Sequence, residues 1–497
     1  MRHVLGIDSS TTATKAVLVD ESGSIVSVGV DEYPYETPRP LWAEQDPDLW
    51  WTGAIAAITR CLDTADVDPV TIDTIGLTGQ MHGLVLLDAD GRPVRPAILW
   101  NDQRTAAECD EIRAAYGRER LIATTGNDAL TGFTASKLLW VRNHEAAVFG
   151  EVAHLLLPKD YVRLQLTGEY ATDRAGGSGT QLFDLAARTW SGDLLEALHI
   201  DPKLLPPTHE GPTVTGVVSA QAAEATGLRA GIPVVAGAGD QAANAVGTGA
   251  IDSGDMTLSL GTSGVVFAAT ESPAIEPDGR VQAFCHALDH RWHMMGVMLS
   301  AAGSLRWLRD AIAPQAGFDE LSAEAAAVPP GCEGLLFLPY LTGERTPHPD
   351  PMARGAFIGL TVRHGRGHLV RAVMEGVAFG LRDGYQLIRA AGVPAATEIR
   401  ASGGGTQSTL WRQILADVLG VPLASVATQE GAAFGAAILA AVGGGWHDSV
   451  GAATREWVNV VDRTPPGEAA YEVMYDIYTS QYALLRDTFA RLGSVTS

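Results

Sequence analysis

Lysine is nearly missing from this chain: of 35 basic residues only four are lysines, at Lys15, Lys137, Lys159 and Lys203. With 58 acidic residues the formal charge is -23, so the surface repels nucleic acid and anionic lipid, and a polyanionic ligand needs a locally favourable site. Cysteine is scarce as well. Cys61, Cys109, Cys285 and Cys332 lie far apart with no CxxC pair, which excludes a disulfide framework and a zinc ribbon. No bulky uncharged run has the length of a membrane span; the run "GAAFGAAILAAVGGG" is long but mostly alanine and glycine. A soluble, cytoplasmic protein is expected. No Walker A lysine follows a glycine, and no glycine loop is joined by HRD and DFG, so P-loop NTPases and protein kinases are excluded.

At 497 residues the chain exceeds what one core serves, and two large domains are expected. Strand-like runs alternate with helical patterns, which argues for an α/β protein. The opening stretch, "VLGIDSSTTATKAVLVD" (4–20), reads as two apolar strands folded around a tip of hydroxyls, and "DMTLSLGTSGVVFAAT" (255–270) repeats the device. Two such hairpins predict a duplicated plan, with the join near Val246 and domains over 1–246 and 247–497. "TIDTIGLTGQMHGLVLLD" reads as strand, tight tip, strand, with Met81 and His82 at the turn. Helices are predicted after the cap Asp46 with Pro47, from Asp102, from Ser408 to Gly420, and at the C-terminal end.

Several stretches are candidates for chemistry. The first tip, Ser9 to Thr14, supplies closely spaced N–H groups and hydroxyls of the kind phosphate oxygens require, and "LGTSGV" offers a second set. Asp8, ending a strand beside the tip, either holds a hydrated magnesium ion or caps the turn. Lys15 points either to the phosphates or to solvent. In "VVAGAGDQAANAVGTG", Gly237, Gly239 and Ala242 satisfy a dinucleotide-binding pattern, yet Asp240 within the turn opposes a pyrophosphate. A carboxylate there is placed to take a proton from a hydroxyl, or else to cap a helix. Cys285, His286, His290 and His293 in "FCHALDHRWHMM" are spaced for strand, turn and strand rather than for a metal. Gly403, Gly404 and Gly405 admit a ring or ribose close to the backbone, or simply turn the chain; Gly431 and Gly435 open a small-residue helix suited to close packing.

Together these segments resemble the FGGY family of carbohydrate kinases over nearly the whole length. Two linear signatures carry the likeness, "GFTASKLLWVRNH" (132–144) and "GAFIGLTVRHGRGHLVRAVME" (355–375), supported by "WAEQDP", "ILWND", "LLLPKDY", "LSLGTSG" and "LPYLTGERTPH". "GQMHG" directs it to the bacterial branch acting on D-xylulose. The resemblance implies an actin-like (ribonuclease H-like) fold of two duplicated α/β domains with ATP in the central cleft. It implies ATP-dependent phosphorylation of D-xylulose at O5, with Mg2+ as cofactor. Asp240 would be the base and Asp8 the acid beside magnesium and phosphate. Met81 and His82 would contact the sugar, with Trp100, Asn101, Asp102 and Gln241 nearby. Thr11, Thr12, Lys15, Gly261 and Thr262 match phosphate positions, and Gly404 and Gly405 the adenosine loop. Ser10 stands where many relatives have glycine, and Gln241 where asparagine is common. Rival readings are the same transfer to ribulose, gluconate or glycerol, a nucleotide-driven filament or chaperone on the same fold, and a sugar-binding regulator that has lost catalysis. The partners expected are sugar and ATP, with neither nucleic acid nor membrane, and a homodimer is left open.

Overall fold

The computed structural model describes residues 2–428 and 430–496. Numbering only the strands of the two large sheets, the first contains β1 (His3–Ser9), β2 (Ala13–Asp20), β3 (Ile25–Glu32), β4 (Ile72–Gly79), β5 (Val214–Val217), β6 (Pro233–Val235) and β7 (Ala238–Gly239). Their order is β5-β6-β4-β1-β2-β3, with β7 also on β4. The second holds β8 (Met256–Leu260), β9 (Gly264–Thr270), β10 (Gln282–Cys285), β11 (Trp292–Met298), β12 (Ile399–Ser402), β13 (Leu423–Val426) and β14 (Val460–Thr464), ordered β10-β11-β9-β8-β12-β13-β14.

The two sheets repeat one topology. Each starts with an antiparallel meander, β1-β2-β3 in the first and β8-β9-β11 in the second. Each then adds two parallel strands, β4 and β6 or β12 and β13, and an antiparallel edge, β5 or β14. Both predicted hairpins are present, and the first pairs Asp8 directly with Lys15. "TIDTIGLTGQMHGLVLLD" does not close on itself: β4 joins β1 in parallel, whereas Val85–Leu87 pairs with His154–Leu156 outside the large sheet. Burial explains it, because β4 is buried on both faces and takes a central place among parallel strands.

Helices cover the sheets. α1 (Pro47–Ala65) starts as predicted, with Asp46 accepting the Asp48 N–H at 3.0 Å, and buries Trp50, Ala54, Ala57, Ile58 and Cys61 along one stripe. α2 (Asp240–Thr248) follows β7, and α3 (Arg366–Ala390) backs the second sheet. α4 (Thr409–Leu419) runs between its predicted caps, Ser408 and the left-handed Gly420. α5 (Gly431–Gly443) and α6 (Glu472–Thr496) follow. The helix expected from Asp102 begins later, at Ala106, because the Asp102 carboxylate is held by the Ala43 N–H and by Arg104.

α5 lies far along the chain yet packs on the first sheet, sharing an apolar cluster with Val4, Val17 and Val235. Only small residues permit this approach. A Cβ on Gly6 would stand 2.0 Å from the Ala433 carbonyl oxygen, and one on Gly435 would stand 1.9 Å from that of Ala243 in α2. The backbones of β1, α5 and α2 are therefore in direct contact between the two sheets.

Candidate functional site

β1, β4 and β7 run parallel and stop level, with Ser9 opposite Gly79 and Gly79 opposite Gly239. Asp8 is the penultimate residue of β1, and Asp240 immediately follows β7. With strands spaced about 4.8 Å apart, their backbones lie roughly 10 Å apart across the end of β4. This is the carboxyl edge of a parallel sheet, where α/β proteins bind ligands.

The two carboxyl groups feel each other. Asp240 is pushed up to about 7, first by burial and then by the charge of Asp8, against a hydrogen bond of 2.7 Å from the Gln241 N–H. Asp8 is pushed up to about 6 by burial, opposed by Lys15 and reinforced by Glu430. Asp240 is the first residue of α2 and Gly239 its cap, so the plain-cap alternative for Asp240 does not describe it. The glycines around it serve packing: a Cβ on Gly237 would stand 1.8 Å from the Leu77 carbonyl oxygen, and one on Gly239 would stand 2.7 Å from Met81.

Lys15, partly exposed, pairs with Glu430 at 2.7 Å, at the start of α5. Sequence reasoning missed Glu430, although an acid directly before a small-residue helix was the available signal. Asp8 Oδ1 is buried without a hydrogen-bond partner. A hard oxygen left free in this way fits magnesium, and among the described residues no cluster of three or more His, Cys, Asp or Glu forms a cage.

On the other side of β4 stands the "QMH" turn. His82 takes the left-handed conformation, with φ 67°, and its Nδ1 lies 2.6 Å from the Gly179 carbonyl. Because a carbonyl only accepts, Nδ1 carries the proton and Nε2 is left as an acceptor. Burial pushes His82 down to about 3, so the ring is neutral. It rests 4.7 Å from Phe133 and 5.7 Å from Phe284 on β10, and Met81 joins the same cluster with Val265 and Met295, so this turn touches both sheets. Trp100 Nε1 donates to Thr11 Oγ1 at 3.0 Å, and Thr11 donates to Gln80 Oε1 at 3.3 Å. Gln80 was also missed. Asn101 Oδ1 is buried and unpartnered, while Asp102 is saturated by Arg104 and Ala43 and braces the loop instead of facing a ligand.

The first tip is closed by Ser10, whose N–H and hydroxyl both donate to the Ala13 carbonyl, leaving Thr12 exposed. On the second sheet, Ser259 pairs with Ser402, so the tip at Gly261 and Thr262 and the Gly403–Gly405 loop leave the same edge. Thr262 is exposed, and Gly404 faces open space. Cys285, His286 and His293 are buried on β10, β11 and the turn between them while His290 is exposed, so no metal site forms from the four.

The family model for the FGGY family of carbohydrate kinases, N-terminal domain, matches residues 3–247, and that for the C-terminal domain matches residues 256–444. The chain belongs to the FGGY family of carbohydrate kinases. It is 44% identical to the xylulose kinase of Escherichia coli (strain K12) over 439 residues, covering 88% of this chain and 89% of that one. To the xylulose kinase of Bacillus subtilis (strain 168) it is 36% identical, with 99% of each covered. The crystal structure of xylulose kinase from Rhodospirillum rubrum superposes with a TM-score of 0.90 at 36% identity, covering 98% of this chain and all of that one. As an FGGY kinase it is a sugar-phosphorylating enzyme that uses ATP, and its repeated sheets are the two-domain fold of that family.

Proposed function

We propose that this FGGY kinase transfers the γ-phosphoryl group of ATP to O5 of D-xylulose, with Asp240 as the general base. The observation that carries the reading is the shared site of Asp8 and Asp240 at level strand ends, with one carboxyl poised near neutrality. A base works best when its pKa lies near the working pH, and burial beside a second acid brings Asp240 there. The named relatives supply the sugar.

Phosphoryl transfer needs little covalent help, so alignment and charge neutralisation do most of the work. The sugar lies along Met81 and His82, where His82 Nε2 accepts a hydroxyl proton, and its O5 faces Asp240, which takes the proton as the phosphorus–oxygen bond forms. The exposed Thr12 and Thr262, with the half-buried Thr11 and Gly261 beside them, receive the ATP phosphates, and Gly404 and Gly405 admit the adenosine. Asp8 would hold magnesium, which would supply charge neutralisation on the phosphates. Lys15 acts through its pair with Glu430, keeping a positive charge beside Asp8. The two domains divide near Val246.

The reading is tested by coupled ADP release over a panel of ketoses, aldonates and polyols. D-xylulose is expected to give the highest kcat/KM, with little ADP released when no sugar is present. Equal release with and without sugars, or a decisive preference for glycerol, contradicts it.

A further inference from the structure

Arg345 is an arginine without a partner beside the sugar-binding turn. It comes from "TGERTPH" in the second half, and among the described residues its guanidinium makes no hydrogen bond and no ion pair. The adjacent Glu344 makes no ion pair with the guanidinium, although the two attract through space. One Glu344 oxygen accepts the N–H groups of Leu299 and Arg345 at 2.9 and 2.8 Å, the other is buried and unpartnered, and burial pushes the carboxyl up to about 8. Arg345 is itself partly buried. Its location is defined by Gly132, where an added Cβ would lie 3.1 Å from Arg345 Nη2 and 2.5 Å from the Trp100 carbonyl oxygen. It is close enough to bear on the charge of His82 and of the buried Lys137, whose ammonium is taken up by the carbonyls of Gly132 and His82.

Spatial order then matters. Asp240 follows Gly239, Gly239 packs on Met81, His82 follows Met81, and Arg345 lies near His82 and beside Gly132. A five-carbon chain with O5 at Asp240 directs its C1–C2 end toward Arg345. Arginine only donates, and a ketone oxygen only accepts, whereas an alcohol at C2 also needs an acceptor for its own proton. His82 Nε2 is an acceptor, and it lies between the two ends.

We infer that Arg345 donates hydrogen bonds to the carbonyl end of the ketose, so that the C-terminal half reads ketose against polyol at a site otherwise built from the N-terminal half. This rests on the function proposed above.

The test compares kcat/KM for D-xylulose with that for its C2 alcohols, xylitol and D-arabinitol, in wild type, Arg345→Ala and Arg345→Lys. Losing a hydrogen bond to a charged group should lower kcat/KM for D-xylulose about ten- to a hundredfold, chiefly through KM, while the polyols change by about threefold or less. Arg345→Lys, which keeps the charge but loses the planar fork, should recover part of the loss and guards against a variant that fails to fold. Equal losses for ketose and polyol, no loss at all, or higher kcat/KM for D-gluconate than for D-xylulose in wild type would overturn the inference. If wild type phosphorylates D-xylulose while the ketose-to-polyol ratio survives in both variants, only the role of Arg345 fails. If wild type leaves D-xylulose untouched, the proposed function falls together with it.

Discussion

Asp240 and Asp8 both titrate above the ordinary carboxylate range, and two measurable consequences follow. Only ionised Asp240 accepts a proton, so kcat/KM for the sugar should rise with pH through about 7 and flatten above it; a profile already flat from pH 5 would contradict the assignment. Stability should run the other way. Between the unfolded value near 4 and the folded value of about 7 the native state binds more protons than the unfolded one. The contribution is therefore fully present below pH 4 and is lost as pH rises through 7. Asp240→Asn should melt higher than wild type at pH 8, with the gap closing as pH falls toward 4, and differential scanning calorimetry at the two pH values measures it. An equal Tm at pH 8 would show that the carboxylate carries no such strain. At this scale the sequence was partly legible. Asp8 and Asp240 stand out because acids interrupt apolar strands, and His82 because it sits between glycines. Gln80 and Arg345 were not legible, since each gains meaning from a residue distant in the chain, Thr11 and Gly132, and the acid that signalled Glu430 did not point to its partner Lys15.

Among the elements, α5 sets two physical effects against each other. Replacing a mid-helix glycine by alanine ordinarily gains about 1 kcal/mol in helix propensity. At Gly435, however, the new Cβ would stand 1.9 Å from the Ala243 carbonyl, and separating two packed backbones costs roughly 1–3 kcal/mol or more. The clash should win, so Gly435→Ala is expected to lower Tm, whereas Gly192→Ala, which meets nothing within 4 Å, should leave it unchanged or raise it. A stabilised Gly435→Ala would mean that α2 and α5 are not in contact. The small-residue run announced close packing without saying against what, because its partners are β1 and α2, more than 180 residues earlier. Locally closed devices were read well: the two hairpins, the Asp46 and Ser408 caps and the Gly420 stop are fixed by neighbouring residues. The supposed hairpin around Met81 was misread because β4 and Val85–Leu87 find other partners. The Asp102 helix start failed because a local ion pair with Arg104 and a long-range hydrogen bond from the Ala43 N–H hold the carboxylate instead.

On the scale of the whole molecule, one sheet topology occurs twice, and the loops proposed to take sugar and phosphates leave the strand ends of both copies. The His82 turn already touches β10, and Lys15 already pairs with Glu430. Binding both ligands should draw the halves together, exclude water and align O5 with phosphorus. Small-angle scattering should show a smaller radius of gyration with D-xylulose and a non-hydrolysable ATP analogue together than with neither, and identical profiles would rule that closure out. The duplication was legible because each copy keeps its own apolar strands and polar tip. The proposed site was not, because it depends on how the ends of β1, β4 and β7 line up.

The central claim is that Asp240 takes the sugar's proton in a site it shares with Asp8. Sugar-dependent ADP release by Asp240→Asn, measured beside nucleotide affinity, tests it most directly. The account predicts turnover lower by about 10² to 10⁴ with ATP affinity unchanged. Turnover within about threefold of wild type, at the same ATP affinity, would contradict it.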